Sequence, residues 1–364
     1  MTFSDYNKGS GRLKVTLIMS CEHNKRKYFR LDICKYFLAV FIIARHTHLV
    51  DEIDIQILRR LSDKTVSLSL PVFFAASGFL LFVKMQGKFY EAESSVIIRC
   101  YIIKMLRLYC VWNLIYLPFT VYDYVNSGYS FAKSILKFVH SFIFIGTNYL
   151  SWPFWFLLSS IIAISIIYVL LKKKISEKGV LCIAAVIFLL AQIMTLLISI
   201  SEELPWTVRV FVNSFSFLFA GTSRLFMGMG YLAAGMGAAM WKTRIPYTAA
   251  FCCIVIMFLG HVLLPPYLSP FCLLVISFLV IYLLTSAKNP KNKECYGLRK
   301  ASRVMYFTHM LFFAFYLAIR VVYPSLQYFG VFAFLTSFIG TQILSFIVLK
   351  CENKKHFKWL KTIL

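Results

Sequence analysis

The sequence predicts an all-α protein, a polytopic membrane helical bundle of about ten transmembrane helices with both termini in the cytoplasm. Composition is the first reason: 60% of the 364 residues are hydrophobic, 17% aromatic and 15% charged, with a mean hydropathy of +0.73. A soluble domain carries nearer a quarter of charged residues. The second is the set of apolar runs near 33–50, 66–83, 103–122, 153–171, 179–200, 222–241, 247–264, 269–286, 304–321 and 328–349, each close to the ~20 residues that cross a bilayer. The third is charge. With alternate connections assigned to one side, the N-terminal tail and 84–101, 172–178, 242–246, 287–303 and 350–364 hold 27 Lys and Arg. The opposite side holds six: Arg59, Arg60, Lys64, Lys133, Lys137 and Arg209. Basic residues gather on the cytoplasmic side, so the net charge of +24 reads as orientation plus contact with anionic membrane lipid, not nucleic-acid binding.

One membrane domain is expected over 32–350, between a basic N-terminal tail (1–31) and a basic C-terminal tail (351–364). The first tail lacks the apolar core and cleavage site of a secretory signal, and Met19 is a second candidate start. The first span carries Lys35 at one end and Arg45, His46 and His48 at the other, although a charge inside such a segment costs roughly 2.5–3.5 kcal/mol on insertion scales. Lys35 and His46 are eleven residues apart, about 1,100° of helical turn, so they share a face about 16 Å apart along the axis. A cation and an imidazole so placed suit an elongated anion threaded from the cytoplasm. The competing reading is a lysine reaching lipid phosphate and a histidine bonded to a neighbouring helix.

The second span, "LPVFFAASGFLLF", holds Ser77 and Gly78, small residues that permit close helix approach. The third brings Lys104 and Arg107 to one face, as phosphate ligands or as ordinary anchors. The aromatic connection 123–151 contains an apolar stretch, 131–145, expected to be interfacial or re-entrant. "WPFWFL" follows, with Trp152 and Trp155, a belt at the outer interface on the plain reading. Further on, "SRLFMGMGYLAAGMGAAMW" joins Arg224 to four glycines, with no acidic partner nearby in sequence. "LLPPYLSP" is a tight outer turn, 286–300 is a basic cytoplasmic loop, and "ASRVMYFTHMLF" sets Tyr306 and His309 one turn apart. His140 and His261 read as structural. The ten cysteines are dispersed without a Cys-x-x-Cys pair, which supports neither a disulfide framework nor a metal site.

Five of these pieces, in this order, resemble the integral-membrane acyltransferase family often called acyltransferase 3, over about residues 30–345. They are Lys35 with His46; Phe73, Phe74, Ser77, Gly78 and Phe79; Lys104 with Arg107; Trp155 to Leu157; and Tyr306 with His309. Lysines at 35 and 104 depart from the arginines common in that family. The resemblance implies a multi-pass enzyme of the cell membrane, of the kind that O-acetylates surface polysaccharides, moving an acyl group, usually acetyl, from cytoplasmic acyl-CoA to a hydroxyl of a carbohydrate or glycolipid. Acyl-CoA would be a co-substrate; no bound cofactor is expected. His46 would be catalytic, either as general base or through an acyl-histidine. Lys35, Lys104 and Arg107 would hold donor phosphates, while Ser77, Trp155, Arg224, Tyr306 and His309 would meet the acceptor or support the site. Two other classes stay open: a transporter or flippase for a lipid-linked sugar, and a catalytically silent membrane sensor or assembly partner. Acyl-CoA-dependent turnover separates the enzyme from both.

Overall fold

A computed structural model describes residues 28–85, 87–241, 243–286, 295–352, 354–357 and 359–360. The expectations for residues 1–27, with Met19, for the loop around Lys291 and for the last four residues lie outside the described residues. Thirteen α-helices and no strand occur among the described residues, as expected where a backbone in hydrocarbon must satisfy its own hydrogen bonds.

Each expected apolar run coincides with a helix: α1 (Phe29–His46), α3 (Ser69–Val83), α4 (Ala92–Asn126), α6 (Trp155–Lys172), α7 (Glu177–Ser199), α9 (Arg224–Met240), α10 (Tyr247–Leu263), α11 (Ser269–Ser286), α12 (Tyr296–Val322) and α13 (Val331–Cys351). Three further helices lie between them: α2 (Gln56–Ser67), α5 (Phe131–His140) and α8 (Trp206–Phe219). The second falls in the stretch expected to be interfacial, and the third in the connection between the runs 179–200 and 222–241.

By length and composition, six helical stretches can cross a membrane, or up to seven if the bent pair α8–α9 counts as one span. They fit a multi-pass membrane protein. Helices α1 and α4 fall short on polarity. The former carries Arg30, Asp32, Lys35 and Arg45, and the latter is interrupted by Asn113, Asp123 and several tyrosines. Helix α10, with seventeen residues, falls short on length.

The main core gathers Leu38, Ile42 and Ile43 of α1, Phe73 and Phe74 of α3, and Met305, Met310 and Phe313 of α12. A second cluster packs α3, α6, α7 and α9 through Phe82, Ile167, Val180 and Leu232. Helices α3 and α9 meet at a glycine seam. A Cβ on Gly78 would stand 2.1 Å from the Leu232 carbonyl oxygen, and one on Gly235 would stand 1.9 Å from that of Ala75. The four-glycine stretch and the Ser-Gly pair therefore answer each other as a packing surface. Helix α1 packs between α3 and α12, and that placement builds the site.

Candidate functional site

His46 is the last residue of α1. Its ring lies 5.3 Å from that of His309 on α12 and 6.2 Å from that of Trp152. Position 309 is 1% exposed, and its Nδ1 lies 2.9 Å from the Met305 carbonyl oxygen, one turn back. A carbonyl only accepts, so Nδ1 bears the proton and Nε2 keeps a lone pair. That Nε2 is buried and has no hydrogen-bond partner. The paired imidazoles thus offer a proton acceptor of fixed tautomer beside a second, partly buried ring. Tyr306, one turn before His309, donates its hydroxyl to the Pro153 carbonyl at 2.6 Å. This clasp fixes the turn Trp152–Phe154 against α12 and sets Trp152 beside His46.

At the other end of α1, Lys35 Nζ lies 5.8 Å from the centre of the Phe73 ring. The charges bearing on it are Arg303, Asp32, Arg299 and Lys104, three cations and one carboxylate. Asp32 is itself engaged: it accepts from Arg299 Nε at 2.9 Å and from Nη2 at 2.5 Å, a two-pronged pair. No hydrogen bond or ion pair joins Lys35 to any described residue. His46 meets α12 directly, whereas Lys35 lies over Phe73 of α3 with Arg299 and Arg303 of α12 bearing on it.

The other expected residues divide. Lys104 joins the Lys35 group, whereas Arg107 is exposed and does not bear on it. Ser77 donates to the Phe73 carbonyl one turn back at 2.9 Å; with Gly78 in the seam, that stretch packs helices. Arg224 lies with its guanidinium 5.3 Å from the centre of the Trp155 ring, and its Nη2 donates to Thr147 Oγ1 at 3.2 Å. His261 bridges Ser67 and Ser269, and His140 stacks on Phe217, both structural arrangements.

Arg299 and Arg303 escaped the sequence reading because they sit at the edge of a basic loop, where charge reads as orientation. A signal existed: 299, 303 and 306 recur at i, i+4 and i+7, one stripe of a helix. The contact between His46 and His309 joins residues 263 positions apart, and local patterning carries no trace of it.

Comparison of the chain with family models, curated proteins and solved structures returns no match.

Proposed function

We propose that this chain is a membrane O-acyltransferase moving an acyl group, with acetyl the first choice, from cytoplasmic acyl-CoA to a hydroxyl of a cell-surface carbohydrate or glycolipid. The observation that carries the reading is the layout of α1. Its Lys35 end lies in a group of cations and its His46 end beside the buried His309 of α12. In the proposed orientation all ten apolar helices cross the cell membrane, both termini and the Lys35 end are cytoplasmic, and the His46 end is outward. Phosphates of the donor would meet Lys35, Lys104 and Arg303, and the thioester would extend toward His46.

Neutral imidazole then accepts the proton of the acceptor hydroxyl as its oxygen attacks the thioester carbonyl. Collapse of the tetrahedral adduct breaks the C–S bond, and the imidazolium returns the proton to the departing thiolate. His309, with Nδ1 committed to Met305, is a second seat for that proton. Trp152 and Trp155 offer the flat apolar faces that suit sugar rings.

The test is transfer of radiolabelled acetyl from acetyl-CoA by protein reconstituted with membranes of the producing cell. Label should appear in the glycan or glycolipid fraction and vanish with His46→Ala; its absence in the wild type would reject the enzyme. One observation favours the transport reading instead: the pair α8–α9, bent by 75°, would form, as one span, a broken helix of the kind transporters use. Acceptor movement without acetyl-CoA consumption would select it. Orientation has its own check. An impermeant thiol reagent on intact cells should label a cysteine placed at 202 and spare one at 291; the reverse pattern would reject the orientation.

A further inference from the structure

Arg224 differs from the other arginines whose contacts are known. Arg45, Arg59 and Arg299 each hold a carboxylate. Arg60, Arg209 and Arg320 donate to backbone carbonyl oxygens. Arg224 is partly buried, yet no carboxylate pairs with it or bears on it among the described residues. Its contacts are one neutral hydroxyl, that of Thr147, and the face of Trp155. Its Nε is buried without a hydrogen-bond partner. A guanidinium has five N–H donors in a planar fork, and here one is used while the ring covers a face.

The surroundings add positive character. Arg224 opens α9, seventeen residues long, directly after the 75° break from α8, where Ala220 and Gly221 are left-handed (φ 51° and 67°). Ser223, the residue in the capping position, makes no capping bond; its hydroxyl is taken by Thr195 at 2.5 Å. A desolvated cation without an anion is unfavourable, and an arginine fork matches carboxylate or phosphate through two parallel bonds. Position then links this seat to the chemistry. Trp155, which faces Arg224, and Trp152, which faces His46, lie three residues apart on the segment that Tyr306 holds through Pro153.

We infer that Arg224 seats an oxyanion of the acceptor, so that the acceptor is an acidic molecule bearing a carboxylate or phosphate near the hydroxyl that is acylated. The word acceptor rests on the acyltransferase reading; the anion seat does not. Bound there, the acidic group fixes the acceptor on the Trp155 side and directs its free hydroxyl toward the histidine pair.

The test is thermal stability of the full chain in lipid nanodiscs, with no acyl donor present. Glucuronic acid and glucose 1-phosphate serve as anionic probes and glucose as the neutral control. One anionic probe or both should raise the melting midpoint, and glucose should not. A response to glucuronic acid alone identifies an acidic sugar, and a response to glucose 1-phosphate alone a phosphate-linked one. Arg224→Met should move the half-saturating concentration up at least tenfold while leaving the unliganded protein at least as stable as the wild type. Arg224→Lys, which keeps the charge and loses the fork, should fall between them and stands in if the methionine variant does not fold. Lys35→Met should keep the response, which separates this seat from the one for donor phosphates. Equal responses in the wild type and the Arg224 variants, or none to either anion, would overturn the inference. Anion binding without any acetyl transfer would leave it standing and reject the enzyme reading alone.

Discussion

The two ends of α1 treat charge in opposite ways. At the His46 end the cations are matched: Arg45 pairs with Asp63, and His48 and Arg59 share Asp51 at 2.7 and 3.1 Å. At the Lys35 end, Lys35, Lys104, Arg299 and Arg303 outnumber the carboxylates bearing on them, Asp32, which Arg299 holds, and Glu352, which Lys300 holds. Matched surface pairs contribute little and bind nothing. A group with more cations than carboxylates would suit an anion arriving from outside, the role proposed for it here. His46 stands apart from its own surroundings, since among the described residues no carboxylate pairs with it and its neighbouring rings are an imidazole and an indole.

If this contrast is functional, substitutions at the two ends fail differently. The largest effect should come from His46→Ala, with acyl transfer lower by at least ~100-fold, the lower range for general acid–base groups. Acyl-CoA binding measured on the same membranes should hardly change; near-normal turnover would remove the histidine from the chemistry. Next come Lys35→Ala and Arg303→Ala, each losing a charge-assisted contact of about 1.5–3 kcal/mol, or roughly ten- to 150-fold in acyl-CoA affinity. Lys35→Arg should restore binding, whereas Arg107→Ala should leave it within about twofold. Equal losses at 107 and 303 would erase the boundary drawn around the Lys35 group.

The matched end should respond weakly. Arg45→Ala and Asp63→Ala break an exposed pair and should cost ~0.2–1 kcal/mol of stability without changing acyl-CoA binding. Asp51 supplies the smallest signal. Its carboxyl is held below the usual carboxylate range, first by the hydrogen bond with His48 and then by Arg59. Folding lowers this pKa, so the stabilisation is present above the unfolded value, near ~3.9, and is lost as pH falls through the folded one. Because Asp51 is about half exposed, the amount is modest. The melting midpoint should slip on acidification below pH ~4, and Asp51→Asn should lack that component. An identical acid slope in wild type and variant would show that the pairing contributes nothing.

Much of this architecture was legible because membrane helices announce themselves locally. The run ending at Val83 and the one beginning at Trp155 could be placed from hydropathy, and the shared face of Lys35 and His46 from helical phase. Helix α8 was not legible: "PWTVRVFVNSFSFLF" mixes Arg209 and Asn213 with aromatics and follows two glutamates, so neither a clean apolar run nor a polar loop stands out. Helix α1 was expected slightly late, over 33–50, where it runs from Phe29 to His46. His48 leaves α1 in the left-handed region (φ 53°) to reach Asp51 and set its ring against that of Phe329 at 4.1 Å, a turn that hydropathy does not register. Partner choice was the other limit. Tyr306 and His309 could be singled out, but Pro153 as the acceptor of the tyrosine hydroxyl depends on how α12 meets α6. Arg303 belongs with Lys35 only once α1 and α12 are packed.

The glycine seam between α3 and α9 has a kinematic consequence. With backbone lying against backbone at Gly78 and Gly235, neither helix can roll or ratchet past the other without a collision, so the pair behaves as a single strut. Freedom to pivot is then left to the joint where α9 begins, around Ala220 and Gly221. A spin label on α8 should therefore explore a wider range of distances to α3 than one on α9, with Arg224 sitting at the fulcrum.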